Sequence, residues 1–487
     1  MKRIVVVSNR LPSVELAHRS GKPEIPAGGL ASAVFGALLR EPDNLWFGWN
    51  GKAGSDTDAP PLARHDIGPV HLAAMSLSRT EYERYYHGFS NGALWPLFHC
   101  FPERARIDPA DEAGYKHVQV RFAQELRPLL RPDDRVWVHD YHLLLFGREL
   151  RELGWHGRTG FFLHIPFPPY DIFRALPDPR DYLQGLMQYD LVGFHVRGSV
   201  DNYAYACQRE LGAKWDGRRL RACGREQRVG AFPIGIDPDA FRPSPGRRPT
   251  REGLLKHEVA GRQLILGVDR LDYTKGIPER MLAFGELIRG HSQWRKKVFY
   301  VQIAAPSRTR VPSYVEQKRT VDAIVGRVNG ELGEPDWTPI RYLYRSYPRD
   351  HLARFYQDAD VGLVTPLRDG MNLVAKEFVA AQPLETPGVL VLSRFAGAAE
   401  LMPAAVMVNP HVSTDISRGL EIALRMPLEE RKARHRELLQ SVLAMTADDW
   451  ARAFLDALEG ERELELARPA RASPTALRRP GSATRNR

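Results

Sequence analysis

The chain has 487 residues, 43% of them hydrophobic, which is long enough for more than one core and too apolar for a disordered polypeptide. Its net charge of +10 would suit a nucleic-acid binder, but six arginines and no acid fall between Arg468 and Arg487, so the remaining body carries +4. That modest excess fits a small anionic substrate, and the Pro/Ala/Ser/Arg composition of 466–487 predicts a disordered basic tail, with no nucleic-acid partner.

Cys100, Cys207 and Cys223 are scattered, odd in number and without metal spacing, so neither a disulfide frame nor a zinc site is expected. The opening "MKRIVVVSNR" is too short in its apolar run for a signal peptide, and no segment approaches the length of a membrane span. The expectation is a soluble, cytoplasmic protein.

In chain order, short β-branched runs alternate with helical stretches. The strands expected are Ile4–Val7, Val136–His139, Gly160–Ile165, Leu191–Phe194, Leu264–Val268, Val298–Ile303, Val361–Val364 and Val389–Leu392. The helices expected are Pro278–Arg289, Tyr314–Asn329, Arg349–Asp358, Asn372–Gln382 and Ala447–Glu465. Buried strands between helices predict parallel α/β sheets. A Pro/Arg/Gly-rich stretch, 237–253, reads as a linker and divides the chain into halves at 1–245 and 246–465. Two such halves create a cleft, and ligands of open α/β sheets bind beyond the carboxyl ends of the strands.

The residues just beyond each strand are therefore the candidates for a site. After the first strand come Arg10 and, farther on, Gly28-Gly29 opening a helix, where backbone can approach a ligand closely. Taken in isolation, those glycines are better explained by a tight turn. After Val138 comes "HDYHL", with Asp140 and His142. The carboxylate suits sugar hydroxyls, although a helix N-cap would also use an aspartate there. His164 stands beside a Pro-rich turn that fixes its ring. Arg270 and Lys275 flank "DRLDYTKG", a fork and a point charge suited to a diphosphate, or else two solvated cations paired with Asp269 and Asp272. Arg308 comes after the strand "VFYVQI". "LRDGMNLVAKE" then brings Asp369 and the opening amides of a helix, which attract anions. Upstream, Trp46, Trp49, Tyr86 and Trp95 provide aromatic faces suited to sugars, with Trp46 the best candidate for plain core packing.

Nine segments occur in register: "SNR…AGGLA", "LWFGWNG", "YYHGFSNGALWP", "WVHDYHL", "FFLHIPFP", "FPIGID", "VDRLDYTKG", "QIAAPSR" and "PLRDGMNLVAKEFVAAQ". Together they closely resemble the trehalose-6-phosphate synthase family of retaining glucosyltransferases, over residues 1 to about 460. The resemblance implies a GT-B fold of two Rossmann-like, doubly wound domains, with the last helix free to pack back on the first. It implies transfer of glucose from UDP-glucose to glucose 6-phosphate.

Carried over residue by residue, it places the donor at Gly29, His164, Arg270, Lys275, Asp369, the backbone of Gly370, Met371, Asn372 and Leu373, and Glu377. Arg270 and Lys275 would clamp the diphosphate, Glu377 would hold the ribose, and Asp369 and His164 the donor glucose. The acceptor would lie against Arg10, Trp49, Tyr86, Trp95, Asp140 and Arg308. Arg10, Tyr86 and Arg308 would take the phosphate; Trp95 and Asp140 would take the sugar. The residues given a catalytic part are Asp140, His164, Arg270, Lys275 and Asp369. No metal and no cofactor are implied, since UDP-glucose is a substrate and protein cations stand where a metal would.

A sister enzyme using glycerol 3-phosphate, or a catalytically dead sugar-phosphate sensor, would share much of this pattern. No second catalytic region is legible after Glu465, so a separate phosphatase is the partner implied for the next step. Nucleotide base preference and self-association as a homo-oligomer stay open.

Overall fold

The computed structural model describes residues 2–12, 29–39, 43–56, 61–242, 261–309 and 311–460, with the side chains of 29–33 left out. Gly28, most of the linker after 242 and the basic tail lie outside the described residues.

The first ten strands are β1 (Ile4–Arg10), β2 (Asn44–Gly54), β3 (Ala63–Ile67), β4 (Val70–Ser78), β5 (Arg135–His139), β6 (Thr159–Phe162), β7 (Leu191–Phe194), β8 (Lys214–Trp215), β9 (Arg219–Ala222) and β10 (Arg225–Ala231). They form one sheet in the order β3-β4-β2-β1-β5-β6-β7-β10-β9-β8. From β4 to β10 every pairing is parallel, and only the edges, β3 and the β9–β8 ribbon, run antiparallel. The second sheet holds β11 (Gln263–Arg270), β12 (Val298–Ala305), β13 (Ile340–Leu343), β14 (Val361–Val364), β15 (Val389–Ser393) and β16 (Val406–Val408). Its order is β13-β12-β11-β14-β15-β16 and it is parallel throughout. The chain is α/β with two doubly wound sheets, as expected.

Each sheet reverses its winding once, between β1 and β5 and between β11 and β14. Neighbouring connections there leave on opposite faces and open a crevice at the strand ends. Arg10 and Asp140 stand at the first crevice; Arg270 and the segment 365–372 stand at the second.

The strands that sequence patterning finds are the continuously buried ones. The missed strands β2 and β4 read as an aromatic cluster and a mixed run, and the short β13 and β16 are too brief for a period to register. Several boundaries differ from expectation by a few residues, as where the helix expected over Tyr314–Asn329 spans Pro312–Leu332, and two have a clear local reason. The strand expected over Gly160–Ile165 ends at Phe162, because the His164 amide turns to Asp140 Oδ1 at 3.2 Å. The last helix is capped after Glu459 by Gly460, with φ 90°, and the remainder of the helix expected to Glu465 lies outside the described residues. That helix docks on the first sheet, where Phe454 stacks on Trp137 at 5.1 Å and Trp450 tilts against it at 5.0 Å.

Candidate active site

The turn after β14 carries Asp369. Its Oδ2 accepts from Lys275 Nζ at 2.5 Å and from Asn372 Nδ2 at 3.0 Å, and its Oδ1 accepts from the Gly370 amide at 2.9 Å. Asn372 sits in a left-handed conformation, φ 70°, so its side chain turns back to Asp369 and leaves the helix Leu373–Ala381 without a side-chain cap. The opening amides of that helix keep their partial positive charge toward the crevice. Two expectations change here. The Gly370 amide is taken by Asp369, and Lys275 is a buried partner of Asp369, neither a solvated cation nor a partner of Asp269 or Asp272. Burial alone would push the Asp369 carboxyl up; the Lys275 ammonium beside it more than offsets this and holds it below the usual range.

Asp269 and Asp272 have other work. Asp269 pairs with Arg280 Nη1 at 2.8 Å, both side chains essentially inaccessible, and Arg280 also donates to the Leu363 carbonyl at 2.9 Å. This ties the β11 turn to β14. Gly276, at φ 64°, closes that turn so tightly that a Cβ would lie 2.3 Å from the Thr365 carbonyl oxygen. Arg270 is exposed at the end of β11, its guanidinium carbon 5.9 Å from the Trp95 ring.

From the first sheet, Asp140 comes directly after β5 with φ 75° and ψ 165°. It caps no helix with its side chain. Instead its carboxylate accepts from the His164 amide, and burial raises its pKa to about 6 against the pull of the Tyr141 and His164 amides. Trp95 is buried, with the Arg308 guanidinium 3.9 Å above its ring. Tyr86 stacks on His142 at 5.9 Å and tilts against Trp49 at 5.8 Å. The Trp49 indole N–H donates to the Lys52 carbonyl at 2.8 Å, so Trp49 enters the site as a packing surface. Arg10 is exposed at the end of β1, 6.0 Å from the Trp49 ring. Gly29 is the first residue of the helix Gly29–Leu38.

Arg308 crosses between the halves. Its Nη1 donates to Asp272 Oδ2 at 3.1 Å and meets the Tyr314 hydroxyl; its Nη2 donates to the Tyr141 hydroxyl at 3.0 Å. His164 Nε2 and His139 Nδ1 lie 3.0 Å apart, and burial drives His139 and His195 down to about 3 and His164 well below its ordinary value. The three imidazoles are neutral at neutral pH. Glu377 accepts from the Tyr356 hydroxyl at 3.0 Å, and burial raises its pKa. Among the described residues, Asp140, Arg308 and Asn372 are three of the seven non-glycine residues with positive φ, so backbone strain gathers around this cleft.

Asp272, Tyr141, Tyr314, His139 and Tyr356 were missed as site residues. Asp272, Tyr141 and His139 lie inside the segments already singled out, whereas Tyr314 and Tyr356 lie on the helices Pro312–Leu332 and Arg349–Asp358. Only their long-range partners distinguish them, and no local spacing encodes those. Among the described residues, no group of three or more His, Cys, Asp or Glu is placed to hold a metal ion, and no helix is long and apolar enough to cross a membrane.

The model of glycosyltransferase family 20 matches residues 2–460. The chain belongs to glycosyltransferase family 20. It is 43% identical to the trehalose-6-phosphate synthase of Sinorhizobium fredii, over 94% of this chain and 98% of that one. Among solved structures, the UDP-forming alpha,alpha-trehalose-phosphate synthase of Burkholderia xenovorans in complex with glucose-6-phosphate is similar at TM-score 0.89. It is 41% identical, over 94% of this chain and all of the other. An E. coli structure bound with UDP-2-fluoro glucose has TM-score 0.88 and 40% identity, over 94% of this chain and 99% of that chain. Family 20 membership accounts for the GT-B pairing of two doubly wound sheets described above.

Proposed function

We propose that this family 20 chain is a retaining, UDP-forming glucosyltransferase that moves glucose from UDP-glucose to glucose 6-phosphate, giving alpha,alpha-trehalose 6-phosphate. The observation that carries this reading is the facing of two sets of groups across one cleft. Lys275, Arg270 and an uncapped helix N-terminus stand at the switch point of the second sheet; Arg10, Asp140, Tyr86 and Trp95 stand at that of the first.

The chemistry is governed by charge. As the glycosidic bond breaks, negative charge grows on the leaving diphosphate. Lys275, Arg270 and the amides opening the helix Leu373–Ala381 are preorganised to meet it, as donors in an oxyanion hole meet an alkoxide. When Lys275 turns to the diphosphate, Asp369 is released to accept donor hexose hydroxyls. Asp369 makes a poor covalent nucleophile here, since after Lys275 leaves, the Gly370 amide still holds Oδ1 and Asn372 Nδ2 still holds Oδ2. This supports front-face attack, with the leaving phosphate oxygen taking the acceptor proton, over double displacement. Neutral His164 suits a hydrogen bond to a sugar hydroxyl. Glu377, oriented by Tyr356, suits the ribose diol. We place the enzyme in the cytoplasm, with a separate phosphatase consuming its product.

The test is UDP release by the purified full chain without added metal. UDP-glucose is offered with glucose 6-phosphate and, separately, with glycerol 3-phosphate, beside a Lys275→Ala control. Release with glucose 6-phosphate, lost in the variant, is expected. Release with glycerol 3-phosphate alone would overturn the acceptor, and silence with UDP-, GDP- and ADP-glucose would overturn the enzyme.

A further inference from the structure

The turn that carries the donor cations and the loop that carries the acceptor arginine share one carboxylate. Asp272 is wholly buried. Its Oδ1 accepts from the Thr274 amide at 3.0 Å and from Thr274 Oγ1 at 2.9 Å, which shapes the turn bearing Lys275. Its Oδ2 accepts from Arg308 Nη1 at 3.1 Å and from the Tyr314 hydroxyl at 2.7 Å. A carboxylate offers about four acceptor directions, and here all four are filled, two by each half-site. Rotating it to improve one side degrades the other.

We infer that Asp272 is a positioning residue that couples donor binding to acceptor binding, by holding the diphosphate turn with one oxygen and the acceptor arginine with the other. The inference rests on reading Lys275 as a diphosphate ligand and Arg308 as a phosphate ligand. Arg308 extends the link across the cleft: Nη2 donates to the Tyr141 hydroxyl, which donates to Asn91 Oδ1 at 2.8 Å, and the guanidinium covers Trp95. Asp272 stays ionised through this exchange. Burial opposes its charge, but Arg308, then Lys275 and Arg270, hold its pKa at about 2. A shift of the turn toward the diphosphate therefore moves the anchor of Arg308, and fixing Arg308 on a phosphate steadies the turn. Linkage makes the effect reciprocal, typically about 5- to 150-fold in affinity.

The experiment measures UDP affinity by calorimetry, with and without saturating glucose 6-phosphate, in the native chain and in Asp272→Asn. The amide oxygen can still serve Thr274, while its NH2 confronts Arg308 as donor against donor. Expected are a native tightening of UDP by glucose 6-phosphate, UDP affinity alone within about 3-fold in the variant, and loss of the tightening. The KM for glucose 6-phosphate should rise at least about 10-fold, as when a charged hydrogen bond is lost.

A variant that weakens glucose 6-phosphate but keeps the tightening would overturn coupling and reduce Asp272 to an anchor of Arg308. Equal loss of UDP affinity alone would also overturn it, as a purely structural effect. If Asp272→Asn does not fold, Thr274→Val decides, because it loosens the donor side without touching Arg308. A reduced tightening supports the coupling, and an unchanged one overturns it. Native turnover without any tightening overturns the coupling and leaves the proposed reaction standing, whereas absent turnover overturns the reaction itself.

Discussion

Gly370 and His164 meet backbone to backbone across the cleft. A Cβ on Gly370 would stand 2.1 Å from the His164 carbonyl oxygen, and a Cβ on Gly397 would stand 1.9 Å from the carbonyl oxygen of Gly370. The donor turn is therefore wedged between the first sheet and its own neighbour, with no room for a methyl group. Gly370→Ala should force these segments apart, at a cost of about 1–3 kcal/mol in denaturant unfolding. A displacement near 1 Å at the reacting centre should lower kcat/KM by roughly 100-fold. Near-native kcat/KM in this variant would show that the contact does not set the catalytic geometry.

Lys275→Met keeps the aliphatic stem but removes the cation from Asp369. Breaking a buried pair in this way leaves an uncompensated carboxylate and should destabilise the chain by about 3–5 kcal/mol. UDP binding should weaken at least about 10-fold, as expected when a charged hydrogen bond to an anion is lost. The added substitution Asp369→Asn should restore much of the stability and none of the UDP affinity. Stability and affinity returning together in the double variant would contradict the assigned diphosphate role.

The acceptor side should be pH-dependent through Asp140. Its folded pKa, raised to about 6, lies above its unfolded value, so the folded chain binds the extra proton between about pH 4 and 6. Stability from this group is present below that window and is lost as pH rises through it. The ionised form, the one we propose to accept sugar hydroxyls, is thus the less stable one. We expect kcat/KM for glucose 6-phosphate to fall below about pH 6 in the native enzyme. Asp140→Asn should be less active, lack that limb, and melt higher at pH 8. A melting temperature lowered at pH 8 would count against burial as the cause of the shift.

Tyr356→Phe removes the hydroxyl that orients Glu377 and changes little else, since the ring packs in the core. The loss of one hydrogen bond to a charged acceptor corresponds to about 1.5–3 kcal/mol. If Glu377 holds the ribose diol as proposed, it does so alike in ground and transition states, and the effect should appear as a raised KM for UDP-glucose with kcat nearly unchanged. Steady-state kinetics with UDP-glucose varied at saturating acceptor would check this, and a fall confined to kcat would place Glu377 nearer the chemistry.

Much of this molecule was legible in the order of its residues. Runs such as Val361–Val364 are buried on both faces and read as parallel strands without any partner in view. Arg270, Lys275, Asp369 and Asp140 announced themselves because each comes after such a run, where the α/β topology puts ligands. The edges were illegible for a matching reason: β8, β9 and β13 are short or half-exposed, so neither length nor alternation marks them.

The order of residues alone sets the chemistry available: two cations and a helix start for a diphosphate, carboxylates and aromatic rings for sugars, and the α/β alternation that carries them to strand ends. Which charge meets which is settled by the folded arrangement. Lys275 pairs with Asp369 across 94 residues of chain, Arg308 with Asp272 across 36, and Arg280, not Arg270, neutralises Asp269. Ion pairing depends on distances of a few ångströms in a buried medium, and such distances are fixed only when both sheets, the strained residues 140, 308 and 372, and the close backbone contact at Gly370 are in place.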